Sequence, residues 1–455
     1  MSKSDPSPIQ DAPKSFVRRL GFIGPSLIIT ATLVGSGELL ATTTFGAKAG
    51  FVSLWLIIGA CLIKVALQEA LGRYTISSGE TTLKALSRLP GPPSWAIWFW
   101  LIVIFVTSIQ LGGVSRVVGE AIKLLLQQSG HTEFIWGPIV CGVCLLILLV
   151  GRYKTIERTS TILVSLFSIA TLICAAAIQW TPNAIRLSEL ASGFRFELPA
   201  EGSMMALGIV AIVGLSSSEL VYYGYWCLEK GYARWTGPND GSEAWQQRAN
   251  GWIRVMHIDC VVGFLIYTTT TIAFYLLGAA VLHRAGVDPG EGIAVLAVLE
   301  PLSEMYTQTI GPWAFYVFLG SALLVLFSTL FVSIASYARL VPDALRIIAN
   351  RKSTESEKER STLYGIILFS ILFAVMSQIQ YNPVFLVVVG TSGIALLLPV
   401  IALAAVYLRY KRLDPKIAPG LILDLWLWVS AILTVVITCH ALWKTIAGVI
   451  KQATE

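Results

Sequence analysis

Charge is scarce in this chain. Only 13% of its 455 residues are Asp, Glu, Lys or Arg, where a soluble fold carries about 25%. That deficit excludes an ordinary water-soluble domain and a solvated disordered chain alike. The net charge of +6 does not point to nucleic acid, because the basic residues gather at the ends of apolar runs. Histidine is also sparse. The four residues His131, His257, His283 and His440 are scattered, and only His257 with Asp259 forms a constellation. No nucleophile–base pair and no phosphate-binding loop is present, so neither an enzymatic activity nor a cofactor is expected. The seven cysteines lie in or beside apolar runs. Cys141 and Cys144 form a C-x-x-C with no second pair or nearby histidine, which reads as small thiols packed between helices rather than a redox or metal motif.

Apolar residues are abundant, at 55%. They form runs of roughly twenty residues or more without strand-like alternation, each long enough to cross a bilayer as a helix. Backbone polar groups must be satisfied internally in lipid, so such runs indicate helices rather than a barrel. The fold class expected is an all-α integral membrane protein with eleven spans. Their approximate limits are 20–44, 51–71, 95–126, 135–150, 161–180, 203–228, 257–282, 312–340, 361–379, 383–408 and 421–443. The proline-bearing N-terminus reads as a short disordered tail, and the first span is expected to remain in the mature protein.

Lys and Arg concentrate in the N-terminal tail and in the loops after spans 2, 4, 6, 8 and 10, including Arg351, Lys352 and Lys358. This places the N-terminus in the cytoplasm, with a bacterial inner membrane as the expected location. The polar stretch 229–252, with Gly237-Pro238-Asn239-Asp240-Gly241 flanked by Trp235 and Trp245, reads as an interfacial helix in preference to a gate.

Two spans carry matching interruptions. Span 1 is broken by Gly35-Ser36-Gly37-Glu38, and span 6 by Gly214-Leu215-Ser216-Ser217-Ser218-Glu219. Glycine and serine let a helix unwind, and the freed carbonyls, amides and hydroxyls then face a cavity. Spans 1 and 6 open two five-span halves, and an odd span number inverts the second half. Inverted-repeat transporters place substrate at such paired breaks near the midplane. The units expected are a tail (1–19), a first half (20–200), a second half (201–410) and an appended span 11 with its tail (411–455). Glu38 and Glu219 are costly in mid-bilayer unless they are paired, protonated or coordinating. Structurally they would pair with Lys64 or Arg116. Functionally they would bind a cation or carry a proton.

Several patches resemble the Nramp family. These are Gly24-Pro25 before the first break, Arg73-Tyr74-Thr75-Ile76-Ser77-Ser78-Gly79 after span 2, and Gly151-Arg152-Tyr153 with Glu157 after span 4. The resemblance implies a LeuT-like 5+5 inverted-repeat fold and gradient-driven transport. It also exposes departures. Where the family has Asp-Pro-Gly-Asn, this chain has Gly35-Ser36-Gly37-Glu38; where it has Met-Pro-His, this chain has about Leu215 to Ser217. The family's acidic pair on span 3 matches Gly113 and Arg116, and Thr391 falls near its coordinating glutamine on span 10.

The donors that remain are hard oxygens from Ser36, Glu38, Ser216, Ser217, Ser218, Glu219 and Thr391, with Gly35, Gly37 and Gly214 supplying freed backbone. Such a set suits a transported hard divalent cation such as Mg²⁺ better than a thiophilic metal. Glu38, Glu219 and Arg116 are the candidates for proton or charge coupling. Two other classes stay open. One is transport of an organic amine held by Tyr222, Tyr223, Tyr225 and Trp226 through cation–π contacts. The other is a membrane receptor or scaffold that does not transport.

Overall fold

The computed structural model describes residues 9–34, 37–128, 130–151, 153–197, 210, 213–286, 311–379 and 383–454. The side chains of 38, 40, 133, 383–389, 391–392, 441–442 and 444–454 fall outside that description. Among the described residues the structure is helical and contains no strand.

Each expected span meets helix. After the short α1 (Phe16–Leu20), span 1 comprises α2 (Pro25–Leu33), a π-helical turn (Gly37–Thr42) and α3 (Thr43–Ala49). Spans 2 to 5 are α4 (Leu54–Ser78), α6 (Trp95–Leu125), α7 (Glu133–Val150) and α8 (Tyr153–Ala177), with the short α5 (Thr82–Leu86) and α9 (Leu187–Ser192) in connections. The described part of span 6 is α10 (Ser217–Lys230), followed by the short α11 (Tyr232–Thr236). Spans 7 to 11 are α12 (Glu243–Leu277), α13 (Trp313–Ile348), α14 (Glu355–Met376), α15 (Pro383–Lys411) and α16 (Leu421–Thr454).

Helix ends follow local chemistry. Pro25 starts α2 at a position where its missing N–H costs nothing. Gly79 closes α4 in the left-handed region at φ 68°. Thr354 and Glu357 form a reciprocal capping box at the start of α14. Small residues set the closest approaches. A Cβ on Gly278 would lie 2.0 Å from the Thr43 carbonyl oxygen, and one on Gly46 would lie 2.3 Å from that of Tyr275. Span 1 and the end of span 7 thus meet backbone to backbone, as lipid-embedded helices do where glycine permits.

Burial divides the bundle. Residues 325–338 of α13 are almost wholly buried, whereas α7, α8, α14 and α16 expose Leu146, Val150, Ile169, Ile173, Leu368, Ile371, Val375 and Val436. Water would not tolerate such a surface, and lipid does. The chain is a multi-pass integral membrane protein. α2 sits inside the bundle, packed on α8, α10, α12 and α13.

Three sequence expectations are corrected. Residues 243–252 are not a separate interfacial helix but the first turns of α12. That helix has 35 residues, about 52 Å of length against a hydrocarbon core of about 30 Å, so it projects beyond the bilayer. The projecting turns bury Trp245 and Trp252, and Trp252 stacks on Trp235 with ring centroids 4.5 Å apart. The end of the N-terminal tail is not free, because Gln10 donates its N–H to Trp235 O at 2.9 Å and accepts from Trp252 Nε1 at 2.8 Å. Finally, the glycine-flanked stretch Gly390-Thr391-Ser392-Gly393 around Thr391, read from sequence as flexible, is continuous helix within α15. It packs so closely on α6 that a Cβ on Gly390 would lie 2.2 Å from Gln110 Cβ.

Candidate functional site

The span 6 interruption is built by glycine and serine. Gly214 has φ +74°, a conformation that side chains disfavour, and a Cβ there would also crowd the Cys61 Cα at 3.1 Å. The turn stops the helical ladder and frees carbonyls. Ser216 follows in extended conformation as the N-cap of α10, its hydroxyl accepting the Ser218 N–H at 3.2 Å. The Glu219 carboxylate reaches back to accept the Ser216 N–H at 3.0 Å and the Ser216 hydroxyl. Glu219 therefore completes a capping box. It is buried, at 6% exposure, as are Ser217 and Ser218. Ser217 donates its hydroxyl to the Ile394 carbonyl of α15 at 2.7 Å, joining span 6 to span 10. From α4, Lys64 donates to the freed Val213 carbonyl at 2.6 Å.

At the first break, α2 ends at Leu33 and Val34 donates its N–H to Thr30 O. Gly37 and the Glu38 backbone lie in the π-helical turn; Gly35, Ser36 and the Glu38 side chain lie outside the described residues. Thr391 sits one turn before Ile394 on α15, with its side chain also outside them. Arg116 makes contacts on α6, α7 and the end of α14. It donates to the Ile379 carbonyl at 2.9 Å, lies 3.6 Å from Glu120, and covers the Phe134 ring at 4.5 Å. Its charge is thus engaged by groups of α6, α7 and the end of α14.

The aromatic residues after the break face different neighbours rather than one cage. Tyr222 packs edge-on against Tyr337, Tyr223 donates to Asp259 at 3.1 Å, Tyr225 donates to Glu229 at 2.9 Å, and Trp226 lies under Arg339. Each therefore has a packing role. Among the described residues no group of three His, Cys, Asp or Glu side chains converges; the described groups at the span 6 break are one carboxylate with hydroxyls and carbonyls, and the Cys61 thiol of α4 lies against Gly214.

A second buried polar cluster escaped sequence reasoning. His257 and Asp259 do not act together. His257 Nε2 pairs with Glu69 at 2.8 Å, and Glu69 also binds Arg73, which donates on to the Ile417 carbonyl at 2.9 Å. Asp259 accepts the N–H groups of Gly24 at 2.8 Å and Ser26 at 2.9 Å, capping α2 from another helix. Gln68 donates to the Ser26 hydroxyl at 3.0 Å, and Lys230 binds both Glu157 and the Ile23 carbonyl. The available signal was the i, i+4 spacing of Glu69 and Arg73 inside an apolar run.

A membrane bundle of two inverted five-helix halves, opened by broken helices and extended by one further span, is a carrier of the LeuT-like type. Within that class the chain belongs to the Nramp family: residues 26–444 match the family described as natural resistance-associated macrophage protein-like. It is 26% identical over 366 residues to an uncharacterized Pasteurella multocida protein, PM0681, covering 79% of this chain and 78% of that one. It is 23% identical over 292 residues to the Deinococcus radiodurans divalent metal cation transporter MntH, covering 64% and 63% respectively. The crystal structure of the Eremococcus coleocola manganese transporter in complex with an aromatic bis-isothiourea substituted compound superposes with a TM-score of 0.71. It shares 15% identity and covers 99% of this chain and 92% of that one.

Proposed function

We propose that this protein is a secondary transporter of a hard divalent cation, Mg²⁺ foremost, which crosses at the midplane where the halves of broken spans 1 and 6 meet. The observation that carries the reading is Glu219, a buried carboxylate at the unwound turn that is bound by the Ser216 N–H and hydroxyl, on a segment that also carries the Ser217 hydroxyl and the Val213 carbonyl. No sulfur stands at Gly214 to Ser218, and thioether ligands are what favour softer metals. Thr391 would add a hydroxyl from span 10; Gly35, Ser36, Gly37 and Glu38 would complete the site from span 1. The names of the Deinococcus and Eremococcus proteins support a metal cation as the substrate class. The distribution of basic residues supports an N-terminus in the cytoplasm of a bacterial inner membrane.

Uptake into liposomes, measured across Mg²⁺, Ca²⁺, Mn²⁺, Cd²⁺ and small organic amines, tests the proposal. Mg²⁺ should enter, with little or no preference for Mn²⁺ or Cd²⁺ over it. Selective, tight handling of Mn²⁺ or Cd²⁺, uptake of amines alone, or no uptake at all would overturn it.

A further inference from the structure

Lys64 is an ammonium where a membrane protein rarely keeps one. It lies ten residues from the start of α4 and fourteen from its end, about 15 Å and 21 Å of helix, so its side chain cannot snorkel to either interface. It is 1% exposed. Its Nζ is spent on one of the oxygens that the turn at Gly214 releases, donating to Val213 O at 2.6 Å. Carbonyls at unwound spans are the groups that coordinate cations in carriers of this design. Val213 belongs to the same unwound segment as Ser216, whose N–H and hydroxyl bind the Glu219 carboxylate.

We infer that the Lys64 ammonium is a tethered cation held on an oxygen of the transport site, so that an entering ion must displace it from the Val213 carbonyl. This rests on the proposed cation transport and names the residue that sets its selectivity. A monovalent ion that displaces an ammonium exchanges one unit charge for another and gains little. A divalent ion gains a charge against Glu219, which is enough to favour the exchange. Lys64 thus makes the site discriminate by charge, independently of which divalent metal fits best.

Three variants test this in the full-length protein, each read by uptake kinetics in liposomes and by cation-dependent thermal protection in detergent with MgCl₂ or NaCl against choline chloride. Lys64→Met removes both charge and donor. Lys64→Gln removes the charge but keeps an amide that can donate to the carbonyl. Both should lower the half-saturating Mg²⁺ concentration roughly tenfold and show protection by Na⁺ that the parent should not show. Lys64→Arg keeps the charge and binds the carbonyl more firmly, so its half-saturating Mg²⁺ concentration should rise. The opposite shifts, or unchanged half-saturation with altered stability alone, would overturn the inference and leave Lys64 a structural prop. Should neither neutral variant fold, the direction of the Arg variant decides. If the parent binds no divalent ion while Lys64→Gln gains Na⁺ protection, the tethered cation stands and the proposed substrate falls. If no variant responds to any cation, both fall.

Discussion

The carboxylate of Asp259 accepts the backbone N–H of Ser26 at 2.9 Å although 233 residues separate them. The same group takes the Gly24 N–H at 2.8 Å and the Tyr223 hydroxyl at 3.1 Å. One side chain on span 7 therefore fixes where span 1 begins and holds span 6 against it. The first half-helix of the site is positioned from the other repeat.

Replacing Asp259 with Ala should leave two helix N-terminal donors and a phenol unpaired away from water, at a cost of about 2–4 kcal/mol. Asp259→Asn, whose amide oxygen still accepts, should recover part of that loss. Thermal melts in detergent measure both. A melting temperature unchanged in Asp259→Ala would show that the cap contributes nothing.

Gly278 tests the backbone contact between spans 1 and 7. A methyl group there meets the Thr43 carbonyl, so Gly278→Ala should cost about 1–3 kcal/mol through displaced backbone. Gly59→Ala, in α4 with open space around it, should be neutral or slightly stabilising. Equal melting temperatures for the two variants would contradict the close packing.

Glu80, in the connection after α4, gives a pH signature outside the spans. Burial alone would raise its carboxyl, but hydrogen bonds from Arg88 and Tyr74 and the charges of Arg88 and Lys84 outweigh that effect and hold it below its ordinary value of 4.5. A depressed carboxylate stabilises the fold above its unfolded pKa, and the contribution disappears as pH falls through the folded one. Because the pair is partly exposed, the effect should be about 1 kcal/mol or less. The melting temperature of the parent should drop more steeply than that of Glu80→Gln as pH falls below 4.5, the two curves meeting at low pH. Parallel curves would remove Glu80 from the account.

Spans were legible because the bilayer imposes a length and a composition on every crossing helix. The span 6 break was legible because Gly214 and its serines weaken a helix in the middle of an apolar run, where nothing else explains them. Long-range pairing was not. His257 sits 188 residues from Glu69, and Asp259 is farther still from Gly24, so no local pattern links them. The stretch Glu243 to Trp252 read as a separate segment because its polar residues hide the continuity of α12 beyond the bilayer. Ser216 and Glu219 carry S-x-x-E spacing, a helix-start signature present in the sequence, but the mid-membrane carboxylate drew attention to ion binding alone. Arg116 matched a coupling position by alignment, and its contacts with Glu120 and the Ile379 carbonyl were beyond any local pattern.

Glu219 now carries two roles, helix cap and ion ligand, and Glu219→Gln separates them. Glutamine at this capping-box position still accepts the Ser216 N–H through its amide oxygen, so the helix start should persist. It carries no charge, so a divalent cation loses its carboxylate ligand. The decisive measurement is the initial rate of Mg²⁺ uptake into liposomes by Glu219→Gln protein whose melting temperature matches the parent. The account predicts a folded protein with uptake abolished; uptake at the parental rate would mean that Glu219 is a helix cap and nothing more.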